Sequence, residues 1–233
     1  YGLDFENYNY SFADLLDDLS DLDIPRIRFT TSHPKDFSNE LIDVISRKPN
    51  VMPYIHLPVQ SGSNKVLKKM NRKYTKEQYL DLVDRIYKKI PNVSLTTDII
   101  VGFPTETEAD FQETMDLVRK SRFEGAYTFI YSRRKGTPAA TYESNITETQ
   151  AKDRLHRLND LVNEGYLRGN KRFEGKTVKV LVEGKSKTKE NVLSGHTENN
   201  KLVNLKGSDD LIGKIVEVKI NKAKTWSLDG EVI

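Results

Sequence analysis

Tyr54-Ile-His-Leu-Pro-Val-Gln-Ser-Gly-Ser63 runs from a β-rich stretch directly into a small polar turn, and a helical pattern opens near Asn64. Residues 54–60 carry aromatic and β-branched side chains bounded by turn residues, which predicts a strand. Working outward, the same strand-then-helix order recurs. Residues 26–31, 94–101 and 126–131 are further β-branched or aromatic runs. Between them, residues 11–22 place Leu15, Leu16 and Leu19 on one helical face, and residues 36–45 do the same with Leu41, Ile42 and Ile45. Thr75-Lys-Glu-Gln78, Thr105-Glu-Thr-Glu108 and Thr147-Glu-Thr-Gln150 each set an acid or amide three residues after a hydroxyl, the signature of a capped helix start. The helix opened by Thr147 carries Leu155, Leu158, Leu161 and Val162 on one side and runs toward Arg172. Four such alternations predict an α/β fold with a parallel sheet.

After Gly175 the period changes. Residues 177–182 alternate Val178, Val180 and Val182 with polar neighbours, and residues 192–196, 202–205, 215–220 and 225–232 follow in the same style. Five short strands in about sixty residues predict a small all-β barrel.

Composition narrows the function classes. The 233 residues contain no cysteine, which excludes disulfides, thiol nucleophiles and thiolate metal sites built from these residues. Aliphatic runs are only a few residues long, so no membrane span is expected. The first residues lack a basic start and an apolar stretch, and the cytoplasm is the expected compartment. The net charge is +3, but residues 171–233 hold 13 Lys or Arg against 9 Asp or Glu while the remainder is nearly balanced. That surplus either makes a solvated face or meets a polyanion.

In a parallel βα architecture, functional groups gather in the loops that follow the strands. Gln60, Ser61 and Ser63 stand in one such loop, where Gly62 permits close backbone approach and the polar side chains suit a ribose or a carboxylate. Ser63 could equally cap the helix near Asn64. Asp98 lies inside the strand that leads into Gly102-Phe-Pro104.

The ordered set His56 to Ser63, Met70-Asn-Arg-Lys-Tyr74, Thr96-Thr-Asp-Ile-Ile-Val-Gly-Phe-Pro-Thr-Glu106 and Tyr131-Ser-Arg-Arg-Lys-Gly-Thr-Pro-Ala139 resembles the radical S-adenosylmethionine (SAM) methylthiotransferases. Arg28-Phe-Thr-Thr-Ser-His-Pro34 and Ala223-Lys-Thr-Trp-Ser-Leu-Asp-Gly-Glu231 extend the resemblance across nearly the whole chain. It implies a partial radical SAM (βα) barrel over residues 1–165, a helical linker at 166–170 and a TRAM domain, a small RNA-binding barrel, at 171–233. The implied reaction adds a methylthio group to carbon 2 of N6-dimethylallyladenosine beside the anticodon. Related members act on threonylcarbamoyl-adenosine in tRNA or on a ribosomal-protein aspartate, and a non-catalytic RNA-binding protein using the barrel alone is a third reading. The implied cofactors are SAM and two 4Fe-4S clusters, with a tRNA anticodon arm and an electron donor as partners. The family's Cys-x3-Cys-x2-Cys motif has no counterpart here, so the resemblance places the cluster ligands upstream of Tyr1 and implies an inactive fragment of a longer enzyme.

Under that resemblance Gln60, Ser61 and Ser63 are expected to bind SAM, with Arg72 on its carboxylate and Asp98 as a polar anchor; a surface ion pair is the alternative for Arg72. Thr31 and Ser32 are expected to terminate the first strand, and His33 and His56 to serve as structural hydrogen-bonding groups, leaving no metal ligand. Tyr131, Arg133 and Arg134 follow the fourth strand and either approach RNA phosphates or pack between domains. Lys214, Lys219, Lys222 and Lys224 are expected to cluster near Trp226, neutralising phosphates. Trp226 is read as a barrel-core residue in preference to a base-stacking platform.

Overall fold

The structure is a computed structural model that describes residues 10–30, 33–186 and 192–233. Thr31 and Ser32 lie outside the described residues. Helix α1 (Phe12–Ser20) starts at Ser11, whose hydroxyl accepts from Asp14 N–H while the Asp14 carboxylate accepts from Ser11 N–H. Helix α2 (Asn39–Arg47) starts three residues later than its periodicity suggests, because Ser38 supplies the cap and residues Pro34–Asp36 form a separate 3-10 turn. Its Leu41, Ile42, Val44 and Ile45 are buried.

Strands β1 (Tyr54–His56), β2 (Ser94–Val101) and β3 (Ala126–Ile130) form one sheet in that order, with both pairings parallel. Helices α3 (Asn64–Lys69) and α4 (Lys76–Lys89) cross from β1 to β2, and α5 (Glu108–Ser121) crosses from β2 to β3. Over its described residues 26–30, the expected strand at 26–31 is reduced to a single parallel bridge between Ile27 and Val51. Extension of that ladder would need the Tyr54 N–H, which instead donates to Met52 O across Pro53. Thr105 does not cap α5, as expected from its hydroxyl: its φ of 83° is left-handed, whereas a cap needs extended backbone. Thr107 caps instead and closes a box with Asp110.

Alternation along the strands separates the sheet's faces. Ile55, Leu95, Ile99 and Val101 enter a core with Tyr79, Ile86, Phe111 and Leu117. Register places Asp98 beside Tyr127 and Ile100 beside Phe129 on the other face, where Tyr127 and Phe129 remain exposed. Helix α6 (Glu148–Lys171), capped by Thr147, is continuous through residues 166–170 and packs on β3.

Strands β4 (Thr177–Lys185), β5 (Leu193–Thr197), β6 (Leu202–Lys206), β7 (Ile215–Ala223) and β8 (Leu228–Val232) close a barrel in the order β4-β5-β6-β8-β7. Alternate apolar residues fill it: Val180, Val182, Leu193, Val203, Leu205, Val218, Ile220 and Leu228, with Phe173 closing one side. The barrel docks where the sheet's strands begin. Asn199 donates to Pro53 O at 3.2 Å and Asn92 O at 2.6 Å, and Arg26 donates to His196 O and Lys179 O. No described helix is long and apolar enough to cross a membrane.

Candidate functional site

Beyond the strands' C-terminal ends lies a cavity of about 830 Å³, a size suited to a small organic ligand. Gln60, Arg72 and Asp98 all line it. Gln60 is buried at φ 71°, a left-handed conformation that costs a non-glycine residue on the order of 1 kcal/mol. Its backbone is held on both sides, with N–H donating to Asp98 O at 2.8 Å and its carbonyl accepting from Ile100 N–H at 2.9 Å. Arg72 follows the left-handed Asn71 at the end of α3, and its buried Nε has no protein partner. Tyr74, two residues on, donates to Val59 O at 3.0 Å and steadies the extended stretch that delivers Gln60; burial pushes its hydroxyl up to about 12, with Arg72 acting in the opposite direction.

Asp98 accepts from or pairs with His56 Nε2 at 3.2 Å, while His56 Nδ1 meets Thr96 Oγ1 at 3.0 Å. His56 thus has the expected structural role, but its partner is the cavity's own carboxylate. Among the described residues no cluster of His, Cys, Asp and Glu could hold a metal ion.

Ser61 and Ser63 are not brought to the cavity. Both are fully buried against α5: Ser61 Oγ lies 3.3 Å from Thr114 Oγ1, and Ser63 Oγ donates to Asp110 Oδ1 at 2.7 Å. Ser63 also accepts from Val66 N–H as the cap of α3, the plain alternative in the sequence reading. Arg133 is turned to a local task as well, donating to Ala140 O at 3.2 Å and Tyr142 O at 3.1 Å and closing its own loop. Arg134 does line the cavity.

Phe103, Lys69 and Tyr142 are not singled out in the sequence as cavity residues, and Tyr131 is placed there toward RNA or a domain interface instead. Phe103 packs edge-on to Tyr131 at 5.0 Å, Lys69 stands 5.2 Å from the Tyr142 ring, and Tyr131 Oη is buried with no protein partner. Phe103 and Tyr131 sit in quoted motifs, but Tyr142 lies in an irregular stretch with no periodicity to flag it.

On the barrel, Trp226 overturns its preferred core reading: it is 69% exposed, and its Nε1 donates to Asn163 Oδ1 of α6 at 3.2 Å. The nine apolar residues already filling the barrel leave it no place there. Lys222 and Trp226 are exposed near the β7–β8 turn and Lys219 is exposed midway along β7, opposite Glu231, whereas Lys224 is paired with Asp229. Lys214 does not join the cluster. It precedes β7 at the other end, roughly 25 Å from Lys222 at a strand's usual rise, beside Asp210.

Two family models match: the radical SAM superfamily over residues 4–118 and the TRAM domain over residues 171–233. The chain is therefore a radical SAM segment followed by a TRAM barrel. It is 57% identical over all 233 residues to the tRNA-2-methylthio-N(6)-dimethylallyladenosine synthase of Bacillus subtilis (strain 168), covering 46% of that protein. It is 58% identical to the synthase of the same name from Oceanobacillus iheyensis over 100% of the chain and 45% of the relative. Geobacillus kaustophilus has a further one at 54% identity, covered to 44%. The chain belongs to the radical SAM tRNA methylthiotransferase family, and it spans less than half the length of these relatives. Among solved structures, coproporphyrinogen III oxidase from Escherichia coli matches with a TM-score of 0.49 and 12% identity, over 84% of this chain and 49% of that one.

Proposed function

We propose that these residues work as the SAM-facing and RNA-facing parts of a tRNA methylthiotransferase that modifies carbon 2 of N6-dimethylallyladenosine beside the anticodon. The observation that carries this reading is 54–58% identity, along essentially the whole chain, to relatives bearing that synthase's name. The division into a core at 1–165, a linker at 166–170 and an RNA-binding barrel at 171–233 belongs to the same proposal.

The cavity supports a SAM site. Arg72 offers an unpartnered Nε–H to a carboxylate, Tyr131 Oη offers an unpaired hydroxyl, and Asp98 offers an acceptor to a hydroxyl or ammonium group. Ile100, Phe103 and Phe129 give the same space the apolar surface that an adenine needs. When bound, SAM and the reduced clusters supply the radical and methyl-transfer chemistry that side chains cannot. The clusters themselves do not fit the residues present, since no thiolate exists in the 233 residues. In a protein of the relatives' length, residues outside these 233 would supply their ligands.

Lys219 and Lys222 would neutralise phosphates of the anticodon arm, and the exposed indole of Trp226 would stack on an unpaired base. Their partner is RNA rather than a membrane, and the compartment consistent with that partner is the cytoplasm. The test is nucleoside analysis by mass spectrometry. A protein of the relatives' length carrying these residues, given SAM, reductant and tRNA bearing dimethylallyladenosine, should yield the methylthio nucleoside. Modification of threonylcarbamoyl-adenosine tRNA or of a ribosomal protein instead would overturn the substrate assignment.

A further inference from the structure

Phe123-Glu124-Gly125, just ahead of β3, lies against α6 where that helix carries Gly165 and Gly169. A Cβ on Gly165 would stand 2.5 Å from Phe123 O, and one on Gly169 would stand 2.7 Å from Glu124 Cγ. Two glycines one helical turn apart thus let α6 close onto this segment and press on the Glu124 side chain.

Glu124 is 8% exposed and gathers partners from three parts of the chain. Lys201 of the barrel brings Nζ within 2.9 Å of Oε2. Ser94, the first residue of β2, donates to Oε2 at 2.6 Å. Arg172, just past α6, places Nε 3.1 Å from Oε1 and donates through Nη2 to Ser94 Oγ and Asn92 O. Lys201 is itself buried, and burial pulls its ammonium below its usual range while Glu124 works against that shift. A buried ammonium needs such a carboxylate, because removing one partner leaves an uncompensated charge.

We propose that Glu124 is a positioning residue that fixes the barrel against the strand-start edge of the sheet. It thereby sets where the Lys219, Lys222 and Trp226 surface stands relative to the cavity at the opposite edge. The docking role stands on the contacts alone, whereas its consequence for the reaction rests on the function proposed above.

The absence of cysteine allows clean paired labelling. Lys120→Cys on α5 and Lys206→Cys on β6, both exposed positions, take two spin labels whose distance distribution reports the docking. The parent background should give one narrow distance. Glu124→Ala, Lys201→Met and Gly169→Ala should each broaden it; Gly169→Ala displaces Glu124 without touching the barrel. An unchanged narrow distribution in folded Lys201→Met and Gly169→Ala proteins would overturn the proposal, even if Glu124→Ala fails to fold.

In a chain of the relatives' full length, Glu124→Ala should leave the tRNA Kd within about threefold while lowering product per bound tRNA by about tenfold or more, within the roughly hundredfold loss that a 1 Å misplacement can cause. Equal product from a variant with broadened distances would overturn the positioning role. A parent protein that makes no methylthio product overturns the proposed function and leaves the docking result standing.

Discussion

A Cβ placed on Gly62 would stand 2.5 Å from Thr114 Cα and 2.6 Å from Glu113 O, both backbone atoms of α5. Neither can swing aside, so Gly62→Ala should cost about 1–3 kcal/mol, seen as a lower urea midpoint with an unchanged slope. Asp110, on the same helix, accepts from Ser63 Oγ, from Thr107 N–H at 2.8 Å and from Thr107 Oγ1 at 2.7 Å, and pairs with Lys65 at 2.9 Å. Burial pushes its carboxyl up, but these donors outweigh it and hold the group well below the ordinary 3.8. A carboxyl depressed by folding stabilises above its unfolded value and loses that contribution as pH falls through the folded value. The protein should therefore lose stability as pH drops below about 4, and Asp110→Asn should remove that part of the dependence while costing about 1–3 kcal/mol at neutral pH. Urea midpoints at neutral and acidic pH check both. The capping role of Ser63 was legible from its place before a helix, but its partner Asp110 lies 47 residues away and no local pattern announces it.

Glu106 shows how an element is held in place. It accepts from Gly102 N–H at 3.0 Å and from Arg154 Nη1 at 2.7 Å, tying the Gly102–Phe103–Pro104 turn to the start of α6. Burial pushes the Glu106 carboxyl up, with Gly102 and Arg154 acting against it. Arg154→Met would strand that carboxylate and should cost about 3–5 kcal/mol, whereas adding Glu106→Gln should recover part of the loss. Hydrogen exchange should quicken in the turn and the first turns of α6 in the single variant; exchange unchanged there would contradict this anchoring role. Helices with local caps, such as those begun by Thr75 and Thr147, could be read from the sequence because their signals lie within four residues. The strand expected at 26–31 rests on its β-rich composition, but over residues 26–30 the turn at Pro53, in a different segment, overrules it. The loop of Arg133 was misread for a related reason: its guanidinium serves carbonyls seven and nine residues on, in a stretch without periodicity.

Across the whole molecule, the cavity lies beyond the strands' C-terminal ends and the barrel docks where the strands begin, so under the proposed function an RNA substrate would engage both. Lys219→Gln with Lys222→Gln should weaken tRNA binding and flatten the dependence of log Kd on log salt by about two in slope. An unchanged slope would remove these lysines from the interface. The change of period after Gly175 made the two regimes visible in sequence, and ordered motifs brought Gln60, Arg72 and Asp98 to attention. The docking of the barrel was not visible, because Lys201 and Glu124 are an unremarkable pair until the fold buries them together. The most direct test of the account is deoxyadenosine release from SAM by a chain of the relatives' full length with its clusters reconstituted, compared with Arg72→Ala and Asp98→Asn. Release in the parent and a loss of about tenfold or more in Arg72→Ala, with a smaller loss in Asp98→Asn, is the predicted result. Equal release from all three proteins would contradict the assignment of this cavity.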